Sequence, residues 1–170
     1  MIPATPALPS ASWIKLPKNQ GYELHWKNGL NGTLRHPTIG SSSFLAISTQ
    51  GNWTFRRVGW LGASAEISDS FSQQRIATFK SAWGGSGTLS FAGGEKFHFE
   101  CKGIWHPVWR VTDEAGRLLV SLHSREESVE LASGEGVPES RSFLLAMFAL
   151  YRLLTAEEDA ASAAIVAAVS

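Results

Sequence analysis

At 170 residues, 44% hydrophobic and 18% charged, the chain has the length and apolar content for one packed core, which excludes a disordered polymer. Fifteen basic and fifteen acidic side chains give a formal net charge of zero, so there is no long-range field of the kind that draws a protein to nucleic acid. The single cysteine, Cys101, excludes an intrachain disulfide framework and a multi-cysteine zinc site and agrees with a reducing compartment, the cytoplasm.

Residues 1–12 contain three prolines and no basic residue, so they lack the charged region and apolar core of a secretory signal and are predicted to be a disordered leader. From Gly21 to about Ala132 the pattern has period two, in short segments broken by glycine, asparagine and serine, as half-buried antiparallel strands require. Eleven or twelve strands fit, with Tyr22, Leu24 and Trp26 on one face and Glu23, His25 and Lys27 on the other. The same alternation predicts an inward Leu61, Ala63, Ala65 and Ile67, then Leu89 and Phe91, then Phe97, Phe99 and Cys101, and finally Leu118, Val120 and Leu122. Gln50-Gly51-Asn52, Trp83-Gly84-Gly85-Ser86-Gly87, Ala92-Gly93-Gly94-Glu95 and Asp113-Glu114-Ala115-Gly116 read as tight hairpin turns, so consecutive strands should pair as a meander. A sheet of that size leaves exposed edges unless it closes, which favours a barrel over a sandwich.

The period changes after Pro138. Phe143 to Tyr151, followed by Leu153 and Leu154, consists of good helix formers and is apolar on every side, so this helix must be surrounded by protein or lipid. It is too short to cross a bilayer and is bracketed by Arg141 and Arg152, which predicts a central helix over residues 139–154 and no transmembrane span. Thr155-Ala156-Glu157-Glu158 has the spacing of a capping box, predicting a second, amphipathic or frayed helix over residues 156–170. The fold class is therefore mainly β: a closed antiparallel barrel of about twelve strands, residues 13–155, around a hydrophobic C-terminal helix.

Strands first and one all-round hydrophobic helix last, together with Gly51-Asn-Trp-Thr-Phe-Arg-Arg57, Trp83-Gly-Gly-Ser-Gly-Thr-Leu-Ser-Phe91 and Trp109-Arg-Val-Thr-Asp-Glu-Ala-Gly116, resemble the tubby-like superfamily. The likeness is to the branch of LURP-one-related proteins and phospholipid scramblases, and it covers residues 13–155. It implies a barrel that faces lipid, since tubby proteins bind phosphoinositides through basic side chains and scramblase-like members act at membranes.

Candidate chemistry is sparse. The glycines after Trp83 lack the lysine of a phosphate-binding loop and precede a strand rather than a helix. His25, His36, His98, His106 and His123 show no paired ligand spacing, and Cys101 alternates in phase with buried phenylalanines, so no catalytic residue, metal or cofactor is predicted. Seven tryptophans are many for this length, and Trp53, Trp60, Trp83, Trp105 and Trp109 fall near strand ends, where an amphipathic ring packs at a barrel rim or meets a lipid interface. The predicted lipid-binding residues are Arg56, Arg57, Arg75, Lys80, Trp53 and Trp60, with only one of Arg56 and Arg57 able to join a given patch because strand neighbours point to opposite faces. Three readings follow, in this order: a non-catalytic barrel binding an anionic membrane lipid or an apolar ligand; a protein-interaction scaffold that docks a partner on an exposed sheet edge or the terminal helix; and an unrecognised enzyme.

Overall fold

The computed structural model of the chain describes residues 10–17, 21–26, 29, 31–38, 41–60, 63–131 and 136–169. Twelve strands run in chain order: β1 (Ser10–Lys15), β2 (Tyr22–Trp26), β3 (Asn31–Arg35), β4 (Ser43–Ser48), β5 (Gly51–Val58), β6 (Ser64–Asp69), β7 (Arg75–Ser81), β8 (Gly87–Phe91), β9 (Lys96–Lys102), β10 (Val108–Asp113), β11 (Leu118–His123) and β12 (Ser128–Leu131). Each is hydrogen-bonded antiparallel to its chain neighbours, and β1 pairs with β12 through Ala11 opposite Val129, which closes the barrel. The closure leaves no free edge among these strands, so the sheet-edge form of the scaffold reading is withdrawn.

Alternation places the apolar set inside. Leu24, Leu34, Ala46, Phe55, Ile67, Phe79, Leu89, Phe99, Val111 and Leu131 are buried, while the outer wall carries Arg56, Glu66, Arg75, Lys80 and Glu100. That polarity is the inverse of a lipid-embedded barrel, whose outer band is apolar.

The interior is filled by α1 (Glu139–Val169). It starts at Pro138, whose carbonyl accepts from the amides of Arg141 (2.9 Å) and Ser142 (3.1 Å). From Ser142 to Thr155 every residue but Arg152 is buried. Phe148 stands at the centre, with ring centroids 5.4 Å from Phe55, Phe79 and Phe99 and 5.3 Å from Tyr151. Gly32 and Gly87 admit this packing, since a Cβ on Gly32 would meet the Phe143 ring and one on Gly87 would fall on Phe79 and the Lys80 carbonyl.

Four expectations are corrected. The leader was expected to reach residue 12, but residues 10–12 belong to β1, where ladder bonds to β12 and β2 hold them, and the rest of the expected leader, residues 1–9, lies outside the described residues. No second helix starts at Thr155: the Thr155 hydroxyl donates to the Arg152 carbonyl at 3.1 Å inside one continuous helix, and nothing in the alanine-rich sequence that follows breaks it. Ala63 lies exposed before β6 rather than inward, and Leu61 falls outside the described residues. A register shift opposite Val111 and Thr112 pairs Val120 with Val111 and Leu118 with Thr112, so Leu119 is the extra residue and is buried where Leu118 was expected.

Because strands alternate in direction, the barrel has a helix-entry end near Pro138 and a helix-exit end near Thr155. Beyond Thr155 the helix leaves the barrel with residues 156–169 exposed, a projection on the order of 20 Å at about 1.5 Å per residue.

Candidate functional site at the helix-exit rim

Arg57 fixes which loops stand at the exit. Its guanidinium, at the inner end of β5, donates to both Asp159 carboxylate oxygens (2.9 and 3.1 Å) and to the Thr155 carbonyl (2.9 Å). Burial alone would lower the Arg57 pKa, but the bonds and charge of Asp159 outweigh it and hold the guanidinium above its ordinary value. The loops that follow β5, β7 and β9 therefore lie at the exit rim. Each presents tryptophan: Trp60 is 86% exposed, Trp83 99%, and Trp105 88%, with Ile104 beside it at 92%. Gly84 and Gly85, at φ +72° and +83°, turn the β7–β8 loop so that Trp83 faces outward.

The sequence of these loops contains no Lys, Arg, Asp or Glu: Gly59-Trp60-Leu61-Gly62-Ala63, Ala82-Trp83-Gly84-Gly85-Ser86 and Gly103-Ile104-Trp105-His106-Pro107. At about 4.8 Å between strands, loops two strands apart stand roughly 10 Å from one another, so the three span an arc of about 20 Å. Behind them the strand ends carry Arg56, Arg57, Lys80 and Lys102, of which Arg56 pairs with Glu66 at 2.9 Å, Arg57 with Asp159 and Lys102 with Glu100 at 3.4 Å. The projecting helix adds an uncharged stretch, Ala160–Val169, with Ile165 and Val169 exposed. Its one hydroxyl, on Ser162, donates to the Glu158 carbonyl at 2.9 Å.

The six predicted lipid-binding residues are divided between the two ends. Trp60, Arg56, Arg57 and Lys80 belong to the exit half. Trp53 is buried near the entry end, lining a crevice of about 250 Å³ with Gln50, Ile76, Pro138 and Arg141, and Arg75 opens β7 at that end. Arg56 and Arg57 do face opposite sides. Arg56 and Arg75 share Glu66 on the outer wall, at 2.9 and 3.1 Å, and their hydrogen bonds hold the Glu66 carboxyl below the usual carboxylate range. No family model, curated protein or solved structure matches the chain. The reading of this site therefore rests on its own geometry.

Trp109 is buried rather than at the rim surface. Cys101 sits half-buried on the inner face at the exit mouth, where burial raises its thiol pKa and Arg152 opposes the rise. A second cleft, about 300 Å³ and at the exit side, lies between Lys15, Tyr22, His36, Phe44 and Glu158, with His36 Nε2 at 3.2 Å from Glu158. Of the other described histidines, His25 pairs with Glu23, His98 with Thr88 and His123 with Ser121, and His106 stands on the β9–β10 loop, so they do not converge. Sequence reasoning overlooked Arg152. It was treated as a boundary of the apolar run, and only a helical wheel centred on the barrel would have shown it turned toward β7 and β10.

Proposed function

We propose that this chain is a non-catalytic, tubby-like barrel that docks on a membrane surface through its helix-exit rim. The observation that carries the reading is the set of nearly fully exposed tryptophans on three charge-free loops at one end. Tryptophan, with an apolar body and a polar N–H, is the side chain most at home at a bilayer interface. A broad arc of separate tips fits a flat surface better than a closed ligand groove. Behind the tips, Lys80 is the strand-end cation that the described ion pairs leave out, and its place at the level of headgroup phosphates favours an anionic leaflet. The helix fills the interior, so an apolar ligand inside the barrel is not part of this proposal. Among the described residues no helix is long and apolar enough to cross a membrane, so attachment is peripheral.

Flotation with neutral and anionic vesicles at low and physiological salt tests the reading, comparing wild type with Trp60→Ser/Trp83→Ser/Trp105→Ser. At about 1 kcal/mol for each partly inserted ring, the triple variant should partition roughly 100-fold more weakly without loss of fold, since all three rings are outside the core. Flotation unchanged by the triple substitution would sink the proposal. A second reading, a scaffold that docks a protein on the terminal helix, is favoured by the exposed Ile165 and Val169, and sedimentation of Ile165→Glu/Val169→Glu beside wild type separates it from the first.

A further inference from the structure

Arg152 is the one charged side chain α1 carries through the barrel mouth, and among the described residues no hydrogen bond or ion pair holds it. Its guanidinium lies over the faces of Phe79, 4.7 Å from the ring centroid, and Trp109, 5.9 Å away. The described ion pairs leave it out, and its Nε is buried with no hydrogen bond. Asp159, the carboxylate that acts on it through space, is already taken bidentately by Arg57. Two further polar groups here are buried without an acceptor, the indole N–H of Trp109, 2% exposed, and the hydroxyl of Tyr151, 0% exposed, whose oxygen the Arg57 guanidinium approaches as a donor. The arginine and the indole can only donate, and the hydroxyl can. Gly85 from the β7–β8 loop stands against Trp109 and Cys101, so this cluster lies directly below the tryptophan-bearing loops.

Charge without a counter-ion, beside buried donors without acceptors, is the complement of an oxyanion. We propose that Arg152, with the Trp109 N–H and the Tyr151 hydroxyl, forms a seat at the barrel mouth for one phosphate group. The planar guanidinium fork suits two phosphate oxygens, and the aromatic faces hold it in place. The phosphate belongs either to a lipid headgroup, in which case the inference rests on the membrane reading above, or to a small phosphorylated solute. Water could satisfy the indole N–H but would leave the guanidinium charge uncompensated, which is why an anion is inferred.

The test is a titration of 15N-labelled protein followed at the Trp109 indole N–H, assigned with Trp109→Phe, together with thermal melting. One arm adds inorganic phosphate against chloride at matched ionic strength, and the other adds a short-chain phosphatidic acid below its micellar concentration. Wild type should show a saturable indole shift and a raised Tm. Arg152→Met should melt no lower than wild type in chloride, because it removes an uncompensated half-buried charge, and should lose both responses. Arg152→Lys, a point charge without the fork, should bind at least about tenfold more weakly. A response to the lipid alone identifies a headgroup seat, and equal responses in both arms identify a seat for soluble phosphate. Binding by Arg152→Met as tight as wild type, or no response in either arm, overturns the proposal. Flotation reports on the rim separately: a protein that floats through its tryptophans but ignores phosphate keeps the membrane reading and loses this one.

Discussion

Phe148→Ala is the sharpest probe of a helix enclosed by the barrel. The Phe148 ring is fully buried and touches four other rings, those of Phe55, Phe79, Phe99 and Tyr151. A phenylalanine buries about 150–250 Å², and at about 25 cal/mol per Å² its full removal from the core forfeits roughly 4–6 kcal/mol, an upper bound to which alanine restores a part. The lost edge-to-face contacts and the cavity left between β5, β7 and β9 act in the opposite direction, so the net expectation is about 4 kcal/mol, within the range for buried Phe→Ala changes. For a chain of this size that corresponds to a Tm lowered by roughly 8–16 °C. Urea unfolding monitored by near-ultraviolet circular dichroism and by tryptophan fluorescence should give the same loss with an unchanged m value. A destabilisation under about 1.5 kcal/mol would refute the enclosed helix, because no site on an outer face of the barrel could surround Phe148 with four rings.

Three further outcomes follow from the same coordinates. Gly87→Ala places a methyl against the Lys80 carbonyl, a backbone atom that cannot swing aside, and should cost about 1–3 kcal/mol, while Gly93→Ala, with nothing within 4 Å, should leave the melting curve in place. Glu66 has its folded-state pKa lowered by Arg56 and Arg75, so its contribution is present above the ordinary Glu pKa and disappears as pH falls through the folded value. The stability difference between wild type and Glu66→Gln, read by urea titration, should be flat from neutrality to about pH 5 and vanish in more acid solution. Arg57→Gln removes the clamp on Thr155 and Asp159. Hydrogen exchange should then accelerate several-fold in Ala156–Val169 and stay unchanged in Phe143–Leu150, and equal protection in both variants would contradict the anchoring role.

The barrel was legible because two periods met. Alternation at Leu24, Phe55, Phe79 and Phe99 marks an inner face strand by strand, and a helix apolar on every side demands a container, which only those inner faces supply. Its failures are local and physical. Thr155 and Glu158 have the spacing of a cap, yet a cap forms only where the backbone leaves the helix, and Leu153, Leu154 and the following alanines give no reason to leave it. Leu118 and Ala63 were assigned inward from an unbroken alternation, which cannot foresee the extra residue at Leu119 or a loop that runs one residue further. At the candidate site, alternation separates Arg56 from Arg57 but cannot say that Asp159, a hundred residues away, takes the inward one. Exposure of the tryptophans was equally out of reach. Trp53 and Trp109 look like Trp60 and Trp105 in sequence, and only the strand boundaries decide that the first two are inside and the others stand on loops.

What the fold does with its interior decides where its function can lie. Lipocalin-like barrels keep a cavity for ligand, whereas here α1 occupies that space from Ser142 to Thr155 with side chains packed to near-zero exposure. The outer wall is charged and several of its charges engage one another, Arg56 and Arg75 with Glu66 and Lys102 with Glu100. The exposed tryptophans of the exit rim and the arginine without a hydrogen bond at its Nε share one end and the same loops, while the entry end exposes Phe71, at 90%. Stability alone would have selected serine or asparagine at Trp60, Trp83 and Trp105 and a neutral residue at Arg152, since none of these four gains from the fold what it loses in hydration or in uncompensated charge. Their coincidence at one rim is what supports the proposed membrane surface, in which anionic headgroups overlie an apolar interior.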